Sequence, residues 1–280
     1  MKNAILILMM TLLSGAAFGQ AEVITDSLYS PSLGRTMPLS ILVPSNYEEL
    51  PQIPVLYLLH GHSVHHDAHL LYTDVEEHIE EAGILCVMPE GENSWWINSS
   101  LNPKDRYGDY LIEDVIGYIE EHYRVDPESR YIAGSSMGGY GALVTALQHP
   151  QHFRAVASII GAVMYPRDKA ALDLDPDYEF GVPTTDRAFG KKPGRHWRDH
   201  DPFLLYKRTE PEDLPYLFIF TGLQDKLTEI PVAQRELADS LNAYGARYEY
   251  HELPGGHGSQ TIDPALEIFL HRINDFNTHP

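Results

Sequence analysis

The stretch Tyr131-Ile132-Ala133-Gly134-Ser135-Ser136-Met137-Gly138-Gly139-Tyr140-Gly141-Ala142-Leu143 leaves this chain few folds to choose from. A short apolar run passes into a turn crowded with small residues, and a helical pattern follows. Gly134-x-Ser136-x-Gly138 has the spacing of a nucleophile elbow, a strand-to-helix turn so tight that its serine sits at the tip in a strained conformation. Side chains flanking such a turn would collide, so glycines stand there. Ser136 then projects at the mouth of a sheet. The amide of Met137 and the start of the helix are directed at any negative charge that develops there. The bland reading is a glycine-rich turn with a serine cap. The strand before it and the helix after it favour the elbow.

The rest of the chain repeats this rhythm. Residues near 22–43 alternate apolar and polar, which predicts one or two antiparallel strands at a sheet edge. Pro51 and Pro54 are expected to bracket a turn. Val55–Leu59, Ile84–Met88, Ala155–Ile160 and Tyr216–Phe220 are continuous apolar runs, the mark of strands buried on both faces. Helices are expected near 68–82, 107–123, 229–244 and 260–275, and a further strand near 246–252. Tyr110, Leu111, Val115, Ile116, Tyr118 and Ile119 form the apolar face of the second of these helices. Strands alternating with helices imply an α/β fold with a mostly parallel central sheet and helices on both faces. Residues 163–200 break the pattern with Pro, Gly and charged residues. They read as a loop-rich insertion and candidate lid, with a solvated surface excursion as the alternative.

The compartment is legible at the N-terminus. One Lys precedes an apolar run from Ala4 to Leu13, and Ala17-Phe18-Gly19 fits a small-x-small cleavage pattern. Residues 1–19 are therefore expected to be a signal peptide and 20–280 a single domain, periplasmic or secreted. The run is short for a membrane span, and no cysteine follows it to carry a lipid. The formal net charge is −20 over 280 residues, which disfavours nucleic acid and anionic membranes as partners. The lone cysteine, Cys86, lies in an apolar run and reads as a core residue.

In a parallel sheet ligands bind beyond the carboxyl ends of the strands. Four motifs fall there: His60-Gly61-His62, Ser136, Asp225 and Gly255-Gly256-His257-Gly258. Ser136, Asp225 and His257 follow the triad order of α/β-hydrolases. His257 is expected to relay the proton of Ser136, with Asp225 fixing its tautomer. The amides of His62 and Met137 are the expected oxyanion donors. Glu229 competes with Asp225 as the acid, but it heads a helix, where a carboxylate suits the dipole. His60, His62, His65, His66, Asp67 and His69 invite a metal reading. With no cysteine or second cluster in support, the expectation is a polar, pH-sensitive loop and no metal.

Leu58-Leu59-His60-Gly61, Ser94-Trp95-Trp96, the elbow from Ile132 to Ala142, Gly222-x-x-Asp225 and Gly256-His257 together resemble the esterase D-type "putative esterase" family. That family includes tributyrin, feruloyl, acetyl-xylan and siderophore esterases, S-formylglutathione hydrolases and bacterial mycolyltransferases. The resemblance spans roughly residues 35–275, and Ser-Met-Gly-Gly-Tyr-Gly is closest to the tributyrin-esterase type. It implies an α/β-hydrolase fold and a serine carboxylesterase without cofactor. His62-Ser63-Val64-His65-His66 departs from the small, glycine-containing loop of the family, and 163–200 matches none of its motifs. Acyl transfer and a non-catalytic binding role on the same fold stay open, while a peptidase would need an extra domain. Trp95 and Trp96 are candidate substrate-binding residues for a carbohydrate-linked ester. Adjacent residues of an extended segment point opposite ways, so one is expected buried and the other beside the site.

Overall fold

The computed structural model describes residues 19–172 and 182–278. The expected signal peptide, but for its last residue, lies outside them. Eight strands form one sheet in the order β1-β2-β4-β3-β5-β6-β7-β8. They are β1 (Glu22–Ser30), β2 (Arg35–Val43), β3 (Ile53–Leu59), β4 (Leu85–Pro89), β5 (Val125–Ser135), β6 (Ala155–Ile159), β7 (Tyr216–Gly222) and β8 (Tyr248–Leu253). β1 pairs antiparallel with β2, and β2 antiparallel with β4. From β4 through β3, β5, β6 and β7 to β8 every pairing is parallel. The carboxyl ends of those strands therefore share one rim, and the residues that follow them are neighbours in space.

The strand period divides the core into two layers. Val55, Tyr57 and Leu59 of β3 join one apolar cluster, while Leu56 and Leu58 join the other. Helices α1 (Ala68–Tyr72) and α2 (Val75–Ala82) follow β3. Further along come α3 (Ile116–His122), α4 (Met137–Gln148), α5 (Val182–Phe189), α6 (Glu229–Tyr244) and α7 (Ser259–Thr278). Val75 and Ile79 of α2 pack on the Leu56 face with Ala265, Leu266 and Phe269 of α7. Leu143 and Val144 of α4 cover the other face with Leu237 and Leu241 of α6. Cys86 is buried, and its burial raises the thiol pKa.

Three expectations need correction. Pro54 lies inside β3 and not at a turn. The strand tolerates it because the β3–β5 register shifts between Ile53 and Val55, the kind of irregularity at which a proline can sit in a sheet. The helix expected over 68–82 is two helices, broken at Thr73, whose backbone is extended at φ −137° and ψ 168°. The helical run at 107–123 is regular only in part, with a π-helical stretch at Tyr110–Val115. In the insertion, three short helical segments occur among the described residues: Lys169–Leu172, α5 and Arg195–Arg198. Lys169, fully buried, pairs its Nζ with Asp186 Oδ1 of α5 at 2.6 Å.

Candidate active site

Ser136 separates β5 from α4 with φ 56° and ψ −117°. A non-glycine residue held there costs on the order of 1–3 kcal/mol, so its surroundings must enforce it. They do so through three backbone hydrogen bonds. Ser136 N–H donates to the Ile159 carbonyl at 3.0 Å, and the Ser136 carbonyl accepts from Tyr140 N–H at 3.0 Å and Ala162 N–H at 3.2 Å. The flanking glycines are needed for close approach. A Cβ on Gly138 would strike the Leu59 and His60 carbonyl oxygens, and one on Gly134 would strike the backbone of Gly138. The end of β3 thus presses directly on the first turn of α4.

The structure brings Ser136, His257 and Asp225 together. His257 Nε2 is 2.8 Å from Ser136 Oγ, and His257 Nδ1 is 2.8 Å from Asp225 Oδ2. A carboxylate can only accept here, so Nδ1 carries the proton and Nε2 is left to accept from the serine hydroxyl. The Asp225 side chain is completely buried, and its other oxygen accepts from Leu227 N–H at 2.9 Å. The loops that carry acid and base are braced against each other. Gln224 N–H donates to the Gly255 carbonyl at 2.8 Å, and Gly255 N–H donates back to Gln224 Oε1. Thr261 Oγ1 donates to the Gly256 carbonyl at 2.8 Å. Glu229 starts α6, and its carboxylate accepts a long contact from Thr228 Oγ1 at 3.5 Å.

His60, buried at the end of β3, accepts from Gly91 N–H at Nε2 (2.9 Å), so its Nδ1–H donates to the Gly61 carbonyl at 2.7 Å. That carbonyl belongs to the peptide whose N–H is His62's, one of the two expected oxyanion donors; the other, the Met137 amide, opens α4 beside Ser136. His62 Nε2 lies 3.1 Å from Thr184 Oγ1 of α5, and its Nδ1 lies 2.7 Å from Ser63 Oγ. Burial, with His60 nearby, lowers its pKa. The remaining histidines are tied down individually. Glu90 Oε2 accepts from His66 N–H at 3.1 Å and lies 3.2 Å from His65 Nδ1. Burial lowers His69 to a pKa of about 4, and its Nε2–H donates to the Leu59 carbonyl at 3.4 Å. Among the described residues no group of three or more His, Cys, Asp or Glu is arranged to hold a metal ion.

The expectation for the tryptophans is overturned, because both are fully buried. Their φ values are 62° and 60°, so the segment is left-handed and not extended, and the alternation of an extended chain does not apply. Trp96 lies against Gly91 and Gly141, where any Cβ would strike its indole, and donates from Nε1 to the His60 carbonyl at 3.2 Å. Trp95 packs on Tyr140, Tyr165 and Phe189 and donates from Nε1 to Thr184 Oγ1 at 3.2 Å. The pair supports the loops after β3 and β4 and offers no indole face to a ligand.

Two hollows lie on either side of the His62–Thr184 contact, His62 lining one and Thr184 the other. One, of about 340 Å³, contains Ser136 and His257 and is walled by Val64, Ala68, Tyr72, Ile160 and Ile262. The other, of about 200 Å³, lies between the loop after β4 and α5, with Glu92, Asn93, Ser94, Asp105, Tyr107 and Arg187 among its walls. Thr184 lines this second hollow, and its contact with His62 joins the two. Ile160, Thr184 and Glu90 are not among the site residues read from the sequence, since nothing local marks an isoleucine, a threonine or a glutamate as part of a site.

Comparison with known proteins gives a consistent picture. The family model described as "Putative esterase" matches residues 30–269. An esterase of Mycobacterium tuberculosis is 28% identical over 250 residues, covering 81% of this chain and 53% of its own length. The chain therefore spans about half the length of that relative. An acetyl esterase of Caldicellulosiruptor saccharolyticus is 24% identical over 212 residues, covering 73% of this chain and 77% of its own. Among solved structures, the fluorophosphonate-binding serine hydrolase F of Staphylococcus aureus superposes with a TM-score of 0.80 at 24% identity, covering 91% of this chain and 99% of its own. That likeness shows the α/β-hydrolase fold.

Proposed function

The chain belongs to the "Putative esterase" family, and from that premise we propose that it is an exported serine carboxylesterase acting on short-chain acyl or carbohydrate-linked esters. The observation that carries the reading is the position of His257, 2.8 Å from both Ser136 Oγ and Asp225 Oδ2. In acylation His257 takes the Ser136 proton as Oγ bonds to the ester carbonyl carbon. The amides of His62 and Met137 receive the oxyanion. As the carbonyl re-forms, the bond to the alcohol oxygen breaks and His257 gives that oxygen its proton. Water repeats the sequence on the acyl-enzyme and releases the acid. The residues doing this need no cofactor.

The alcohol side is assigned to the hollow beneath α5. Its charges are paired: Arg35 with Glu92 at 2.8 Å, and Arg187 with Asp105 at 2.5 Å. Tyr107 Oη donates to Glu92 at 2.6 Å. A wall of matched donors and acceptors suits a neutral polyhydroxylated group such as a sugar. Export rests on the apolar run Ala4–Leu13 and the Ala17-Phe18-Gly19 pattern, and no helix among the described residues is long and apolar enough to cross a membrane.

Hydrolysis of a panel of p-nitrophenyl and acetylated-sugar esters checks the reading. The wild type should turn over at least one class. Ser136→Ala should lose about a thousandfold or more in kcat while melting at the same temperature. Undiminished hydrolysis by the alanine variant would remove Ser136 from the mechanism.

A further inference from the structure

The hollow around Ser136 differs chemically from the rest of the molecule. Charged residues make up 21% of the chain, yet among the described residues no Asp, Glu, Lys or Arg lines this cleft. Its imidazoles are those of His62, His69 and His257, and Tyr72 adds a phenol. Burial lowers the pKa of His69 and of His62, so both walls stay neutral at pH 7. Between them stand Val64, Ala68, Tyr72, Ile160 and Ile262. Such a wall rejects a charged group, because burying an unpaired charge is costly. It rewards each methylene removed from water.

Ile160 supplies an independent observation. It has φ 42°, a conformation that is a genuine outlier for a β-branched residue. It is 1% exposed, and its N–H donates to the Phe220 carbonyl at 2.7 Å. Strain of this kind persists where the surroundings fix it and clusters at ligand sites. Ile160 follows β6, which lies between β5, leading to Ser136, and β7, leading to Asp225. The bend places an apolar side chain on the cleft wall beside the nucleophile.

We propose that this cleft is an acyl pocket for neutral apolar acyl groups longer than acetyl, with Tyr72 and Ile160 as its specificity-determining residues. The assignment rests on Ser136 being the nucleophile. Tyr72, 64% exposed, stands at the open end of the cleft, where it covers the far end of a longer chain and leaves an acetyl group untouched. Ile160 forms the wall nearer Ser136.

The experiment measures kcat/KM for p-nitrophenyl acetate, butanoate, hexanoate and hemisuccinate with wild type, Tyr72→Ala, Ile160→Ala and Ser136→Ala. From acetate to hexanoate the wild type should gain about two- to fourfold per methylene, the upper figure being that of full burial. Hemisuccinate should fall below butanoate. Tyr72→Ala, at an exposed position that does not endanger folding, should cut the hexanoate-to-acetate ratio by about threefold. Ile160→Ala should shift the ratio the same way. Acetate hydrolysed as fast as hexanoate, or a Tyr72→Ala effect equal on both, overturns the acyl pocket while leaving the esterase reading intact. So does a flat acyl series alongside a length-dependent series of alkyl acetates, which would put the alcohol in this cleft. Hydrolysis of every ester that survives Ser136→Ala takes both readings down together.

Discussion

On one side of the His62–Thr184 contact the Ser136 cleft is walled by Val64, Ala68, Tyr72, Ile160 and Ile262; on the other, the hollow beneath α5 is walled by Glu92, Asp105, Tyr107 and Arg187. The first is built by the ends of the central strands, by the loop after β8 and by helices α1 and α7. The second is built by the loop after β4 and by the insertion; Arg187 pairs with Asp105 between the two, and Glu92 is matched by Arg35 of β2. Burial acts differently in the two places. Around Ser136 it drives histidines toward their neutral form. Beneath α5 burial would raise the Asp105 pKa, but the bond from Arg187 prevails and holds the carboxylate below its ordinary range. In the proposed reaction one ester has two ends, the acyl end assigned to the apolar hollow and the alcohol end to the polar one.

That division can be broken at its hinge. Asp225→Asn leaves shape and packing in place but lets His257 take the wrong tautomer, so kcat should fall by about ten-thousandfold on every ester, whatever its acyl or alcohol part. Circular dichroism and a thermal melt should show the fold unchanged. A crippled Glu229→Gln variant beside an active Asp225→Asn would reassign the acid. The polar hollow is tested by Arg187→Met, which removes the partner of Asp105. kcat/KM on acetylated oligosaccharides should drop by about tenfold, with p-nitrophenyl acetate within about twofold. An equal loss on both would mean that Arg187 merely holds the insertion in place.

A smaller effect concerns the neutrality of the apolar cleft. His69 titrates at about 4 when folded, against about 6.5 in an unfolded chain. Its charged form is disfavoured by folding, so the unfolded chain takes up the proton first. Stability is therefore unaffected above about pH 7 and declines as pH falls through 6.5 toward 4. Between about pH 7 and 5.5 the decline from this one group is about 1 kcal/mol. Urea denaturation at both pH values should show that His69→Asn has lost this part of the acid sensitivity. The same slope in both proteins would mean that His69 is not held neutral.

Much of this site is legible in the sequence because it is enforced by contact. Gly134 and Gly138 cannot carry a Cβ against the backbone of α4 and β3, so the elbow leaves a spacing that can be read. Ser136 and Asp225 follow strands whose apolar runs mark them as central; His257 follows the edge strand β8, and because β8 runs parallel to β7 its end lies on the same rim. The tryptophans mislead because alternation holds only in extended chain, and nothing in Ser94-Trp95-Trp96 announces two consecutive left-handed residues. The break at Thr73 is hidden because apolar spacing continues from α1 into α2 and no Gly or Pro interrupts it. Ile160 is invisible for a different reason. It reads as the last residue of a buried strand, and its bend is set by Phe220, 60 residues downstream, not by its neighbours in sequence.

The nucleophile itself can be caught in the act. Incubation of the protein with a fluorophosphonate probe, followed by proteolysis and mass spectrometry, should place a single phosphonyl adduct on Ser136, and labelling should disappear in Ser136→Ala. An adduct on any other residue, or label retained by the alanine variant, would contradict the assignment of Ser136 as the group that attacks the ester.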